Sequence, residues 1–211
     1  KKFLKNNYHV IIDKPATLNF KQAKNLVQIA QKKRKLLSEA IVFQHHHQVN
    51  EASKEIKSIK NLNSVEARFV IPKLPKNNFR NYKKQGGGCL LDMGPYAAAV
   101  FRMYINEDYN KVSIQCSSNY TKSGLNKNFN ILVLSANKFF SGFFSFNGKY
   151  ENTLVLSTKQ KKVTINRVFS PPNDENLILQ INDGRVKKEK KIKKDDVFLN
   201  YFKFIFKTIK R

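Results

Sequence analysis

Apolar residues recur along this chain with two different periods, and the alternation between them sets out an order of elements. Residues 9–13 (HVIID) form a short β-branched run, read as a buried strand that Lys14-Pro15 ends, because proline cannot donate to a ladder. Phe20, Ala23, Leu26, Val27 and Ala30 then keep helical spacing, with Thr17 or Asn19 able to cap the start. The basic run KKRK (32–35) falls at the helix end, where cations complement the dipole. Residues 36–43 (LLSEAIVF) read as another strand, so the opening is strand–helix–strand, the pattern of a parallel α/β sheet. A helix follows over 45–57, with Val49, Ala52 and Ile56 on one face. Residues 64–71 alternate as a strand. Residues 72–85 are a polar loop with two prolines. After Gly86-Gly87-Gly88, residues 89–105 are apolar nearly all round, which predicts a buried helix.

The texture changes from 111 to 170. Five strand-like runs (KVSIQCSSNY, NFNILVL, KFFSGFFSF, NTLVLST and KKVTINRVF) are punctuated by Ser123-Gly124 and Asn147-Gly148, which predicts a largely antiparallel meander. The run at 139–146 reads equally as core beneath the buried helix or as an exposed face that pairs with another copy. Asp183-Gly184 marks one more hairpin, whose second arm carries lysines that would discourage edge-to-edge pairing. Asp195 and Asp196 cap a last helix over 197–210, with Phe198, Phe202, Ile205, Phe206 and Ile209 as its stripe. That stripe is expected to pack across the back of the sheet. Its basic flanks raise membrane-surface binding as the competing reading.

Composition adds one feature that could mislead. The 211 residues hold 40 Lys+Arg against 15 Asp+Glu, a formal charge of +25. Such an excess attracts anions and raises nucleic acid as a partner. Only seven of the 40 are arginine, however, and bidentate reading of bases and phosphates favours arginine. We therefore expect no specific nucleic-acid partner. No apolar run reaches the roughly 20 residues of a membrane span. Two cysteines, Cys89 and Cys116, form no metal-ligand spacing, and a reduced, cytoplasmic compartment is the expectation. The first ten residues carry neither Met nor a signal-peptide core, and the chain is expected to be a piece of a longer protein.

Three local features carry chemistry. Asp13-Lys14-Pro15 ends a strand, and open α/β sheets bind ligands beyond the carboxyl ends of their strands. In GGGCLLDMGPY (86–96), Asp92 and Tyr96 lie four apart and share a face of an apolar helix. A carboxylate and a phenol there are costly without a purpose, a Tyr–Asp hydrogen bond within the core being the plain alternative. Glu39 precedes the run Gln44-His45-His46-His47-Gln48, whose adjacent histidines point about 100° apart on a helix and so do not suit a metal. A helix start lining a polar cleft is expected instead.

Together these pieces resemble the Gfo/Idh/MocA family of NAD(P)-dependent oxidoreductases. HVIIDKPATLNFKQAKNLVQIAQKKRKLL is similar to the end of the family's Rossmann segment, with Asp13 where Glu is usual. SEAIVFQHHHQ resembles the EAFMYRxHPQ stretch of the glucose–fructose oxidoreductase and dihydrodiol dehydrogenase branch, with His47 where Pro is frequent. The motif detail runs from about residue 8 to 105. The implied fold is α/β plus α+β, the C-terminal end of a Rossmann domain followed by a large, mostly antiparallel open sheet with helices on one face. Residues 1–37 would be the Rossmann remnant. Residues 38–211 would be the substrate-binding and oligomerisation domain, pairing as a homo-oligomer through the open sheet.

The resemblance also implies roles. Lys14, Tyr96 and Asp92 would be catalytic. Lys14 would bond the reacting oxygen and the cofactor ribose, with a cis bond to Pro15. Tyr96 would act as general acid/base, its pKa lowered by the Lys14 ammonium, and Asp92 would orient both. Asp13, Lys14 and Pro15 would face NAD or NADP. Glu39, His46, Arg80 and Asp92 would face a sugar, nucleotide-linked keto-sugar or related polyol. No metal is implied. The Gly-rich dinucleotide fingerprint is not among these residues, which keeps open a non-catalytic binding protein that retains the fold.

Overall fold

A computed structural model of the chain describes residues 1–210. Two sheets organise it. The first is small: β1 (Val10–Ile12) lies parallel to β2 (Leu37–Glu39), joined through α2 (Phe20–Lys33). Asn19 caps α2 by accepting the Gln22 N–H, and Arg34 ends it in the left-handed conformation. A short helix not anticipated from the pattern, α1 (Lys2–Lys5), buries Leu4. The predicted second strand is shorter than expected. Its last residues turn instead into a 3₁₀ turn, Val42–His45, which buries Phe43.

The second sheet has eight strands in the order β10-β9-β8-β7-β3-β6-β5-β4. They are β3 (Leu62–Val70), β4 (Ser113–Tyr120), β5 (Asn126–Leu134), β6 (Phe139–Ser145), β7 (Glu151–Thr158), β8 (Lys162–Asn166), β9 (Leu177–Asn182) and β10 (Lys187–Ile192). Only β3 and β6 run parallel, because β3 enters between two meanders, β4-β5-β6 and β7-β8-β9-β10. Two helices cover one face: α3 (His47–Ile56) lies over β7 to β9, and α4 (Cys89–Val100) lies over β3, β6 and β5. The expected buried helix continues past α4 as one π-helical turn, Phe101–Ile105.

Period-two alternation assigns the faces. In β6 the pairs Phe140/Phe144 and Phe139/Phe143 point to opposite sides. The first pair is sealed beneath α4 and the second is half-buried on the open face. Thus one face of the run is core, and the other lies on the uncovered side of the sheet. Each sealed phenylalanine contributes about 1.5–3 kcal/mol by leaving water. The lysine-rich β10 forms an outer edge, as its composition suggested.

The last helix departs from expectation. In α5 (Val197–Ile209), Asp196 accepts the Leu199 N–H as the N-cap. The helix packs against the 42–45 turn and not across the back of the sheet. Its buried residues are Val197, Tyr201 and Ile205, whereas Phe198, Phe202 and Phe206 are exposed. Docking is fixed by the Tyr201 hydroxyl, 2.8 Å from Ser38 Oγ, and by His45 against Tyr201 and Phe204. No helix among the described residues is long and apolar enough to cross a membrane.

Candidate active site

The strand-tip lysine and the first turn of α4 meet. The Lys14–Pro15 bond is cis. The Lys14 ammonium donates to Asp92 Oδ1 at 2.7 Å and to the Asp92 carbonyl at 2.8 Å. Both side chains are 14% exposed, which leaves the pair reachable from solvent while shielding it. Arg80 Nε lies 3.1 Å from the same Asp92 oxygen. One carboxylate oxygen thus gathers two cations. The same ammonium sits 4.9 Å from the centre of the Tyr96 ring, on its π face.

The local sequence explains this convergence. α4 starts at Gly88, whose φ of 111° suits glycine alone. A Cβ at Gly87 would come within 2.5 Å of the Arg80 carbonyl oxygen, so the loop carrying Arg80 can close on the helix start only because residue 87 has no side chain. Buried Asn126 locks the arrangement by accepting the Leu90 N–H at 2.8 Å and donating to the Asn128 carbonyl. Nothing in the sequence marked Asn126, since an asparagine at a strand start is a common turn residue.

Tyr96 stands in an aromatic box, with ring centres 5.8 Å from Phe43, 5.5 Å from Phe69 and 5.3 Å from Phe169. These three come from distant segments, and no local spacing could have grouped them. The box corrects one expectation. Burial, with the negative charges of Asp92 and Asp13, pushes the Tyr96 phenol up to about 12, and Arg80 opposes only in part. Burial outweighs the cations beside it, so the phenol does not move toward neutral pH. The resting side chain is therefore a protonated phenol, a proton donor. Nor is it the core Tyr–Asp hydrogen bond of the plain alternative, since the Asp92 oxygen turns to Lys14 and Arg80.

The other residues singled out fall in three places. Asp13 accepts the Lys14 backbone N–H at 2.8 Å and is otherwise exposed. Glu39 accepts the Ala16 N–H at 2.8 Å, tying the tip of β2 to the segment after Pro15. The three histidines part company. His45 lies on α5, exposed His47 faces Asp195, and His46 is fully buried. His46 Nδ1 caps α3 by accepting the Gln48 N–H, and burial lowers its pKa. The structure thus brings Lys14, Asp92, Arg80 and Tyr96 together, sets Asp13 and Glu39 beside them, and gives His46 a capping place away from a cleft.

The comparisons with known proteins agree with this architecture. A family described as the GFO/IDH/MocA C-terminal domain matches residues 57–161, and one described as an oxidoreductase family with an NAD-binding Rossmann fold matches residues 1–41. A dTDP-3,4-didehydro-2,6-dideoxy-alpha-D-glucose 3-reductase of Saccharopolyspora spinosa is 27% identical over 198 residues, covering 92% of this chain and 59% of the relative. The enzyme of the same name from Actinomadura kijaniata is 26% identical over 171 residues, covering 80% of this chain and 52% of the relative. The chain therefore spans little more than half the length of these relatives. Among solved structures, an Actinomadura kijaniata 3-ketoreductase in complex with NADP and TDP-benzene shares the fold. Its TM-score is 0.84 at 22% identity, over 93% of this chain and 61% of that one. An aldose-aldose oxidoreductase from Caulobacter crescentus gives 0.76 at 14% identity, over 89% and 57%.

Proposed function

Because the chain belongs to the Gfo/Idh/MocA family of oxidoreductases, we propose that it carries the substrate side of an NAD(P)-dependent oxidoreductase. The substrate is a sugar, in keeping with the sugar-nucleotide reductases it resembles. The observation that carries the reading is Lys14 held on Asp92 at 2.7 Å with its ammonium over the Tyr96 ring. In this reading residues 1–37 are the end of the dinucleotide-binding domain and 38–211 the substrate domain.

The residues fit the nicotinamide end of such a cofactor. Asp13, Lys14 and Pro15 form a strand tip whose ammonium is largely shielded yet accessible, where it can bond a ribose hydroxyl and a substrate oxygen. When bound, the nicotinamide supplies the hydride in reduction and accepts it in oxidation. Tyr96 gives its phenolic proton to the carbonyl oxygen that becomes the alcohol, and the Lys14 ammonium stabilises the negative charge passing through that oxygen. Asp92 holds the ammonium in place, and Arg80 fixes the Asp92 carboxylate. The second Asp92 oxygen and Arg80 face a sugar hydroxyl, and Glu39 steadies the Pro15 segment. His46 acts on the substrate only through the start of α3.

The test is reduction of a nucleotide-linked 3-keto-sugar with NADPH by the protein containing this chain. Tyr96→Phe is expected to lower turnover by about 10²–10⁴-fold while cofactor affinity stays nearly unchanged. Unchanged turnover would remove the assignment. The homo-oligomer belongs to the same reading, and half-buried Phe139, Phe143 and Leu132 on the uncovered sheet face support it. The two unpaired cysteines fit a reduced compartment such as the cytoplasm.

A further inference from the structure

The eight-stranded sheet ends in two edges of opposite character. β10 carries Lys187, Lys188, Lys190 and Lys191, charges of the kind that keep an edge strand from taking a new neighbour. β4, at the other end, carries none. Residues 112–121 hold no charged side chain, although the chain as a whole carries +25. Two other uncharged stretches of that length form strands, 128–137 and 139–148, and their strands β5 and β6 lie inside the sheet. β4 lies at its margin and pairs on one side only, with β5. All of its residues except Ser118 are exposed. It contains no proline, and its ladder with β5 runs without irregularity from Ser113 to Asn119. Half of its N–H and C=O groups therefore point outward along a regular, uncharged edge.

We infer that β4 pairs edge to edge with β4 of a second copy of this chain, joining two sheets into one. Charge selects the occupant. Two copies at +25 repel each other, and antiparallel pairing about a two-fold axis sets each residue opposite its own counterpart or a near neighbour in the same strand. A lysine edge such as β10 would then face lysine, and an acidic partner strand would gain most there. β4 is the edge on which a copy meets no like charge. The register follows from the same symmetry. Residues that oppose each other share a side of the sheet, so the axis passes through one residue that faces itself. Pairing the whole regular span, Ser113 to Asn119, makes that residue Cys116. Ile114 and Cys116 stand in line with Val133 and Ile131, on the side that α4 covers over β3, β6 and β5. Ile114 is 49% exposed there, and in the joined sheet it lies in the trough between two α4 helices. Side chains of β4 already bond across strands, Asn119 Nδ2 donating to Asn128 Oδ1 at 3.1 Å. Gln115, Ser117 and Asn119 extend such bonds to the copy. This contact is separate from the uncovered sheet face that carries Phe139 and Phe143, and it does not rest on the redox reading.

The test uses the protein containing this chain. Cys116 is exposed and Cys89 is buried, so a short bis-maleimide reports on the edge. It is expected to join Cys116 of one copy to Cys116 of another, read by mass spectrometry as a peptide linked to itself. Cys116→Lys and Cys116→Glu, both at an exposed position, are each expected to weaken self-association about tenfold in sedimentation equilibrium, because like charges then face each other. An equimolar mixture of the two variants is expected to associate as the unaltered protein does, a rescue that a folding defect would not show. No link between Cys116 residues, a monomeric protein, or association indifferent to both variants would overturn the edge contact. So would two weakened variants whose mixture stays apart. Association lost with Phe143→Asp and untouched by either Cys116 variant would move the contact to the sheet face, and the edge would again be overturned.

Discussion

The eight-stranded sheet and the strip made by residues 1–41 with α5 draw on the same kinds of residue and end in different states. Beneath α3 and α4, Phe140, Phe144, Leu154, Leu156, Val163 and Ile165 are completely sealed. In the strip, Phe3, Phe20, Val27, Phe198, Phe202 and Phe206 stay exposed, and among residues 1–41 only Leu4, Ala30 and Ile41 are buried apolar residues. A two-stranded sheet is marginal by itself, whereas eight strands with two helices on one face close a core. Within the strip Ser38 bonds Tyr201 and Ala16 bonds Glu39, and the strip is held to the rest by Asn200 on the His45 carbonyl and by Lys14 on Asp92 across the gap. Lys14 thus rides on the weakly packed region and its partners on the strongly packed one, so the proposed site exists only where the two meet.

Three experiments bear on that difference. The largest stability effect is expected from Phe144→Ala, about 3–5 kcal/mol in urea unfolding, because Phe144 is sealed against Phe129 and Phe169. A loss below 1 kcal/mol would mean that the sheet does not carry the core. Alkaline pH should give the next effect. Burial raises the Cys89 thiol and the Tyr96 and Tyr104 phenols to about 12. The folded chain keeps these protons after the unfolded chain has begun to lose them near pH 9 to 10. Stability from these groups is therefore complete below that range and falls as pH rises toward 12. Urea midpoints should be flat to about pH 9 and then decline, and Cys89→Ala should move the onset toward pH 10. The smallest effect belongs to Phe206→Ala on the exposed side of α5, within about 0.5 kcal/mol. A change there as large as at Phe144 would show that α5 is covered in solution.

The same contrast explains what was readable in the chain. Strand alternation in β6 and β7 and the α4 pattern were legible because a sealed core imposes its period on local sequence. Lys14, Asp92 and Tyr96 were legible through glycine, proline and helical spacing, all short-range signals. Arg80 was named only through the resemblance, since its approach to Asp92 depends on the missing side chain at Gly87. Phe43, Phe69 and Phe169 went ungrouped because they meet only in three dimensions. The α5 stripe packs differently from its pattern for a related reason. A helix apolar on most sides does not say which side docks, and the 42–45 turn took Val197, Tyr201 and Ile205. The shift in the Tyr96 phenol is hidden too, because it depends first on burial among aromatic rings from distant segments and then on the charges of Asp92 and Asp13.

The meeting of the two regions is tested most directly by a double-mutant cycle on kcat/KM for Lys14→Met and Tyr96→Phe in the protein containing this chain. Groups that act on one oxygen lose their effect together, so the double variant should fall little further than the worse single variant. Losses that multiply independently, or single variants with wild-type turnover, would contradict a shared site.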